Sequence, residues 1–468
     1  MEGVLRAELL KLLPLVHPAP GGLGGTDGSG LACDVTKAKT AFAPYRICPL
    51  GAHIDHQGGP VLAAAINTGV RFLFLPTPTP QVVVASLQFR GTVQFSFSTQ
   101  ARLVKREKQP DDRNGGAKEK QGKEGGGEAE EEEQCWGTAR GAMWALLEAG
   151  HRLEQGVVGV MPPHVPFCCI DLNPSGKSSG FNLRSVPPCH LHRQTGVAFL
   201  LALADANNLS LSPAELIELD RLIENGFLGL RNGVLDQSAI VLSKAGHLTR
   251  IWCQDRRHDF IPLPAGSPSE PNKEVAFMLA FSGMRAALTQ SSGYNNRVQE
   301  CQEAARMLLA AAGMEVPSSP VLSQVPLRVF ETHNHRLPDA LRRRAAHFYS
   351  ESARVLQGAE ALQQGDWRLF GSLMSESGQS SIEQYECGSA PLIDLRSILL
   401  ATPGVLGVRF SGAGFRGCCV ALVEREKVAD VARHVAEEYS RRQPELAAAC
   451  QKDSMVMVCD ISDGARIL

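Results

Sequence analysis

The chain has 468 residues, room for two to four domains at about 100 to 200 residues each, and its 44% hydrophobic content can build sizeable cores. Lys plus Arg number 47 against 49 for Asp plus Glu, a net charge of −2, so the basic excess that wraps nucleic acid is absent and a small-molecule partner is expected. The 13 cysteines have no framework spacing, and adjacent pairs such as Cys168-Cys169 and Cys418-Cys419 bridge poorly; this excludes a small disulfide-stapled fold and points to buried thiols in a reducing compartment.

In chain order, Met1 to Pro14 breaks its apolar run with acidic residues and has no basic leader, so no secretory signal is expected. No stretch reaches the roughly 18 uncharged apolar residues of a membrane span. The expectation is a cytoplasmic protein with no membrane or nucleic-acid partner. Gln81 to Phe89 and Thr92 to Phe97 read as two neighbouring strands joined at Arg90-Gly91, a hairpin. The tract 105–134, with Gly115-Gly116, Gly125-Gly126-Gly127 and Glu130 to Glu133, has almost no apolar residue to offset the entropy of ordering it. It reads as a disordered surface insertion within one domain, since Ala142, Leu146 and Ala149 beyond it fall at helical spacing. Ser212-Pro213-Ala214-Glu215 has the form of a capping box with proline at the first helical position, and that helix is expected to end near Glu224-Asn225-Gly226. The second half mixes helices, at Arg297 to Ala312 and Ala340 to Leu362, with β-like runs at Val405 to Phe410, Cys419 to Val423 and Met455 to Cys459. Two α+β domains are expected.

Standard P-loop, nucleophile-elbow and zincin patterns are absent from the sequence. Cys189-His190-Leu191-His192 and His333-Asn334-His335 offer soft ligands, but neither has a second cluster at metal-site spacing. Gly412-Ala-Gly-Phe-Arg-Gly417 satisfies Gly-x-Gly-x-x-Gly, yet Cys418 to Val423 reads as a strand where a dinucleotide fold needs a helix. A tight strand-loop-strand turn is the better reading, with or without a ligand.

Two segments gather chemistry. Arg46-Ile-Cys-Pro-Leu-Gly-Ala-His-Ile-Asp-His-Gln-Gly-Gly59 packs a guanidinium, two imidazoles, a carboxylate and paired glycines into one turn-rich stretch, which suits a hydroxyl-rich ligand; the alternative is that Asp55 and His56 satisfy turn backbone. Gly229-Leu-Arg-Asn-Gly-Val-Leu-Asp236-Gln237 sets a carboxylate just past a glycine-rich turn, with Glu224 twelve residues earlier. Two such acids can divide the roles of base and metal ligand, or either can cap a helix.

Taken in this order, the segments resemble the GHMP kinases, and within them the galactokinase branch, whose first motif runs Arg-Val-Asn-Leu-Ile-Gly-Glu-His-Thr-Asp-Tyr-x-Gly-Gly. Arg46 to Gly59 matches that motif, Gly233 to Gln237 matches Gly-Ile-Met-Asp-Gln, Gly412 to Cys418 matches the glycine loop, and Tyr294-Asn-Asn-Arg-Val-Gln-Glu-Cys301 also fits. The resemblance implies an α+β, two-domain fold: a ribosomal-S5-like N-terminal domain, placed at 1–262 with the 105–134 insertion, and a ferredoxin-like C-terminal domain at 263–468. It implies ATP and Mg²⁺ as cofactors. Asp236 would be the base or orienting carboxylate at the sugar's anomeric hydroxyl and Arg46 the cation on the transferring phosphoryl group. Ala52, His53, Asp55, Gly233 and Tyr294 would meet the sugar, Glu224 would help hold Mg²⁺, and Gly412, Gly414 and Gly417 would shape the site from the C-terminal domain.

Two departures matter. At Ala52 the galactokinase pattern has glutamate, near the sugar's exocyclic oxygen. A substrate carboxylate there would be repelled by a glutamate; at about 4 Å and an effective dielectric of about 20 that repulsion is about 4 kcal/mol, near a thousandfold in affinity. Its absence favours a uronic acid, and the first motif is most similar to the plant-type galacturonokinase group, which makes galacturonic acid 1-phosphate. The family's phosphate-cradling run of small residues should precede Gly196. Ser178, Ser179 and Gly180 could be its beginning, but Phe181, Arg184 and Pro187-Pro188 are poor substitutes for residues that must bring bare backbone N–H groups to phosphates. The leading expectation is therefore a D-galacturonate 1-kinase; the alternatives are a kinase for galactose or arabinose and a sugar-binding regulatory protein without transfer activity. Oligomeric state is left open, a monomer included.

Overall fold

A computed structural model of the chain describes residues 2–16, 34–87, 92–97, 127–162, 191–229, 232–264, 275–284, 292–412, 414, 417–450 and 455–468. Helix α1 (Glu2–Val16) precedes strands β1 (Lys39–Leu50), β2 (Pro60–Thr77), β3 (Gln81–Ser86) and β4 (Thr92–Ser96), then α2 (Gly127–Glu148), β5 (Gly156–Met161), α3 (Leu191–Ala206), α4 (Pro213–Leu222), α5 (Leu235–Leu242), β6 (His247–Trp252) and β7 (His258–Pro262). One mostly antiparallel sheet joins these strands in the order β12-β1-β2-β5-β3-β4, with β6 on the start of β2 and β7 beyond it. Among the described residues, only β3 and β5 run parallel. The expected β3–β4 pairing is present, Gln81 facing Ser96 through Ala85 facing Thr92.

The second unit begins at β8 (Val275–Phe281) and continues through α6 (Ser292–Ala311), α7 (Leu327–His333), α8 (Asp339–Gln363), α9 (Trp367–Glu383), α10 (Ala390–Ala401), β9 (Val405–Ser411), β10 (Cys418–Glu424), α11 (Val428–Arg442), α12 (Pro444–Ala449) and β11 (Val456–Cys459). Its antiparallel sheet has the order β11-β8-β10-β9, the strand order of a ferredoxin-like fold. β9 and β10 pair from Ser411–Cys418 outward, so Gly412 to Gly417 is the strand-loop-strand turn expected and no dinucleotide-binding helix follows it. The last strand, β12 (Arg466–Ile467), returns to pair with Ala41 and Phe42 of β1, so the end of the chain closes the first sheet.

Local chemistry accounts for these elements. The capping box forms as read: Ser212 Oγ accepts from the Glu215 N–H at 3.2 Å and Glu215 Oε2 accepts from the Ser212 N–H at 3.4 Å. The helix ends where expected, through a π-type turn, Ile223–Phe227, in which Glu224 is buried. The expectation of disorder over 105–134 needs correction at its end. Residues from Gly127 onward form the first turns of α2, where acidic residues suit the positive end of the helix dipole; residues 98–126 lie outside the described set.

Two cores flank the site. Phe72, Phe74, Trp136, Met143 and Phe199 pack α2 and α3 on the first sheet. The larger core runs from Ile47, Leu50 and Ile54 into Phe348, Phe370, Phe410 and Val420, so the end of β1 is packed against the second unit. Cys48, Cys253, Cys301, Cys387, Cys418, Cys419, Cys450 and Cys459 are buried and unbridged. Among the described residues no helix is long and apolar enough to cross a membrane.

Candidate active site

The end of β1, the start of α5 and the tip of β9 meet at one place. Arg46 lies beside a register irregularity in β1 and Asp236 in the first turn of α5. Arg46 Nε donates to Asp236 Oδ1 at 2.5 Å, with side chains 3% and 4% exposed. Arg46 Nη1 also reaches Ser411 Oγ, 3.4 Å away, beside the Gly412–Gly417 turn. The three motifs thus converge, and a buried carboxylate is held in one orientation by a bonded guanidinium.

After β1 the chain turns sharply. Gly51 has φ +96°, and a Cβ there would lie 2.6 Å from Val61 Cα, so only glycine permits the turn. Ala52 is buried, His53 is left-handed at φ +65°, and Asp55 opens the short helix Asp55–Gln57. Gly233 sits against this corner: a Cβ on it would be 2.1 Å from Asp55 Oδ2 and 2.7 Å from the His56 nitrogen. The Leu235 N–H points at the same Oδ2 from 3.4 Å. The first and second motifs are therefore joined twice, at Arg46–Asp236 and at Asp55–Gly233.

Helix α8 grips the turn from the second unit through two residues that the sequence reading did not single out. His347 Nε2 donates to the Ala52 carbonyl at 3.0 Å, and Glu351, one helical turn on, accepts from the Gly51 N–H at 2.7 Å. Glu351 is fully buried, with Ser377 Oγ at 2.6 Å, Arg354 Nε at 2.8 Å and the equally buried Arg409 Nη1 at 3.4 Å. Burial pushes its carboxyl up, but Arg409 and Arg354 outweigh burial and hold it below the usual range. The His347 imidazole is pushed down to about 4 by burial, so it is neutral near pH 7, with Nδ1 facing Ser380 Oγ at 2.8 Å. One signal was available: His347 and Glu351 interrupt the apolar stripe of α8 made by Phe348, Val355 and Leu362, and polar residues on a buried face need partners.

His53 is also kept neutral. Burial first, then His347 and Arg409, hold its imidazole well below the usual range. Its Nε2 is 3.3 Å from Cys387 Sγ, whose thiol burial pushes up to about 12. Neither Cys387 nor Cys48, pushed up to about 11, is a thiolate nucleophile.

Glu224 is buried and accepts from Asn232 Nδ2 at 2.7 Å, while Asn225 Oδ1 and Nδ2 bond the Asn232 backbone, so the loop leading to Asp236 is laced to Glu224. Gly412, Gly414 and Gly417 have φ of +82°, +79° and +100°, a backbone that side-chain-bearing residues rarely adopt. Tyr294 falls in the first turn of α6, its side chain outside the described residues. Ser178, Ser179 and Gly180 lie outside them altogether.

Comparison with known proteins places the chain in a family. The family model "GHMP kinases C terminal" matches residues 359–441. A galacturonokinase from Arabidopsis thaliana is 45% identical over 93% of this chain and 95% of its own length. A galactokinase from Roseiflexus sp. (strain RS-1) is 31% identical over 90% of this chain and 91% of its own. Lactococcus lactis galactokinase, solved with galactose, superposes with a TM-score of 0.72 at 22% identity over 99% of both chains, a likeness of fold. The chain belongs to the GHMP kinase family, in the sugar-kinase branch that holds the galactokinases and galacturonokinase.

Proposed function

We propose that the chain transfers the γ-phosphoryl group of ATP to the anomeric hydroxyl of D-galacturonate. The observation that carries the substrate choice is Ala52, a buried methyl group in the turn between Gly51 and His53, where the galactokinase pattern has an acid. The identity to a protein named galacturonokinase supports the same choice.

In this reading Asp236, fixed by Arg46, accepts or orients the anomeric hydroxyl proton, and Arg46 balances charge on the phosphoryl group in transfer. Asp55 and His53 meet sugar hydroxyls and Gly233 lets the sugar approach; Tyr294 packs on the ring. Glu224, a buried carboxylate held by Asn232, offers the hard oxygen that would help hold Mg²⁺. Bound there with ATP, the ion would neutralise phosphate charge. The positive-φ glycines at 412, 414 and 417 would keep the opposite wall free of side chains. The departure at Ser178 to Thr195 favours a second reading, a sugar-binding protein that does not transfer phosphate.

The test is ADP release by the purified chain with MgATP and, in parallel, D-galacturonate, D-galactose, L-arabinose or no sugar. Release dependent on galacturonate is expected. A melting-temperature rise with galacturonate but no ADP would favour the second reading, and a preference for a neutral sugar would refute the substrate assignment.

A further inference from the structure

Four described non-glycine residues have positive φ, and two of them, His53 at +65° and Glu386 at +54°, belong to segments that touch each other. Backbone strain of that kind persists where surrounding contacts impose it. Around Glu386 the contacts are three arginines. Arg343 Nη2 donates to Oε1 at 2.7 Å, Arg344 Nη2 to Oε2 at 2.5 Å and Arg297 Nη2 to its carbonyl at 3.0 Å. The left-handed step lets both neighbours of Glu386 reach His53. The Tyr385 ring stacks on the imidazole at 4.5 Å between centroids and 13° between planes, and Cys387 Sγ meets Nε2.

Tyr385 also holds the next corner of the turn, and the polarity of that hydrogen bond can be worked out. The Leu322 N–H can only donate, so the Gln57 oxygen faces it at 3.1 Å. The Gln57 amide nitrogen then faces His56 Nδ1 at 2.9 Å, which makes Nδ1 an acceptor. In the neutral ring the proton is on Nε2, which donates to Tyr385 Oη at 3.0 Å. From its other side Tyr385 is strapped to α6, because Arg297 Nε donates to the Tyr385 carbonyl at 3.2 Å. Arg297 is three residues beyond Tyr294, in the same motif.

We propose that Tyr385 is a positioning residue for sugar recognition, holding His53 and the Asp55–His56 corner in register with the helix that carries Tyr294. This rests on the kinase reading above, in which those residues meet the sugar. Tyr385 itself is buried to 1% exposure and acts through the residues it touches.

The test uses the full chain and two readouts, calorimetric affinity for D-galacturonate without nucleotide and steady-state KM for each substrate. Tyr385→Phe keeps the ring over His53 and removes the hydroxyl oxygen that accepts from the His56 N–H; its sugar dissociation constant and sugar KM should rise about 3- to 10-fold, with KM for ATP unchanged. Tyr385→Leu also loses the stack and should raise both by about 30-fold or more. If Tyr385 is merely a core residue, the variants melt earlier but bind sugar like wild type, and the proposal fails. Equal losses for sugar and ATP would overturn it too. Should the leucine variant not fold, the phenylalanine variant decides alone. A wild-type chain that binds no sugar would sink the kinase reading and this proposal with it, whereas wild-type binding with unaltered variants sinks only the proposal.

Discussion

Arg46 and Asp236, 190 residues apart in sequence, form a buried ion pair through Nε and Oδ1 that ties the first motif's strand to the opening turn of α5. A buried pair of this kind is strongly destabilised when one charge is removed, by about 3–5 kcal/mol, because the remaining ion loses its counter-charge. Asp236→Asn keeps the shape and one acceptor for Arg46. Phosphorylation in that variant should fall by about 10²- to 10⁴-fold while the sugar still raises the melting temperature. Near-normal turnover would remove Asp236 from the chemistry.

Ala52→Glu should invert the substrate preference. Its backbone is held by His347 and, through Gly51, by Glu351, so the new side chain starts from a fixed point in the turn. With repulsion of about 4 kcal/mol against a substrate carboxylate, the galacturonate-to-galactose ratio of kcat/KM should drop by two to three orders of magnitude, roughly. An unaltered ratio would show that another group chooses the substrate.

Gly233→Ala inserts a methyl group where Asp55 Oδ2 now lies, 2.1 Å from the new carbon. The clash involves a side chain in the sugar corner and the His56 backbone, so relief requires moving Asp55. Overpacking of this sort costs about 1–3 kcal/mol, and sugar KM should rise at least tenfold, roughly, with KM for ATP much less affected. A variant with wild-type sugar KM would mean that Asp55 does not need this position.

Stability should decline in mild acid through the buried imidazoles. His347 titrates near 6.5 when unfolded and at about 4 when folded, so between these values the unfolded chain holds more protons. Its contribution is fully present above pH 6.5 and is lost as pH falls toward 4, about 3 kcal/mol in all. His53 and His56 are lowered in the same direction. Glu351, held low, adds to the acid loss as pH falls into the ordinary carboxyl range and below it. Denaturation midpoints measured from pH 7.5 to 4.5 should fall, with a shallower slope in His347→Gln; parallel slopes would refute the assignment to this residue.

How much of this was legible without coordinates depends on whether a residue's role is local. The capping box at Ser212, the paired strands at Gln81 and Thr92 and the glycine turn after β9 depend on neighbours a few positions away, so their patterns could be read directly. The acidic start of α2 was misread because low hydrophobicity suggested disorder, while the helix propensity of glutamate acted on the same residues. Arg46, Asp55, Gly233 and Asp236 were visible as an ordered set of motifs.

By itself the sequence determined the two-domain α+β class, the sugar-kinase family and the residues around which a site would be built, because those features are carried by short runs with their own chemistry. Only the tertiary structure decided which of them touch and what holds them. His347, Glu351 and Tyr385 are polar residues buried 295 to 329 positions along the chain from the turn they support, and Arg409 reaches it through Glu351. Their meaning comes from burial: a charge or N–H removed from water must find its partner in space, and sequence spacing carries no record of that distance.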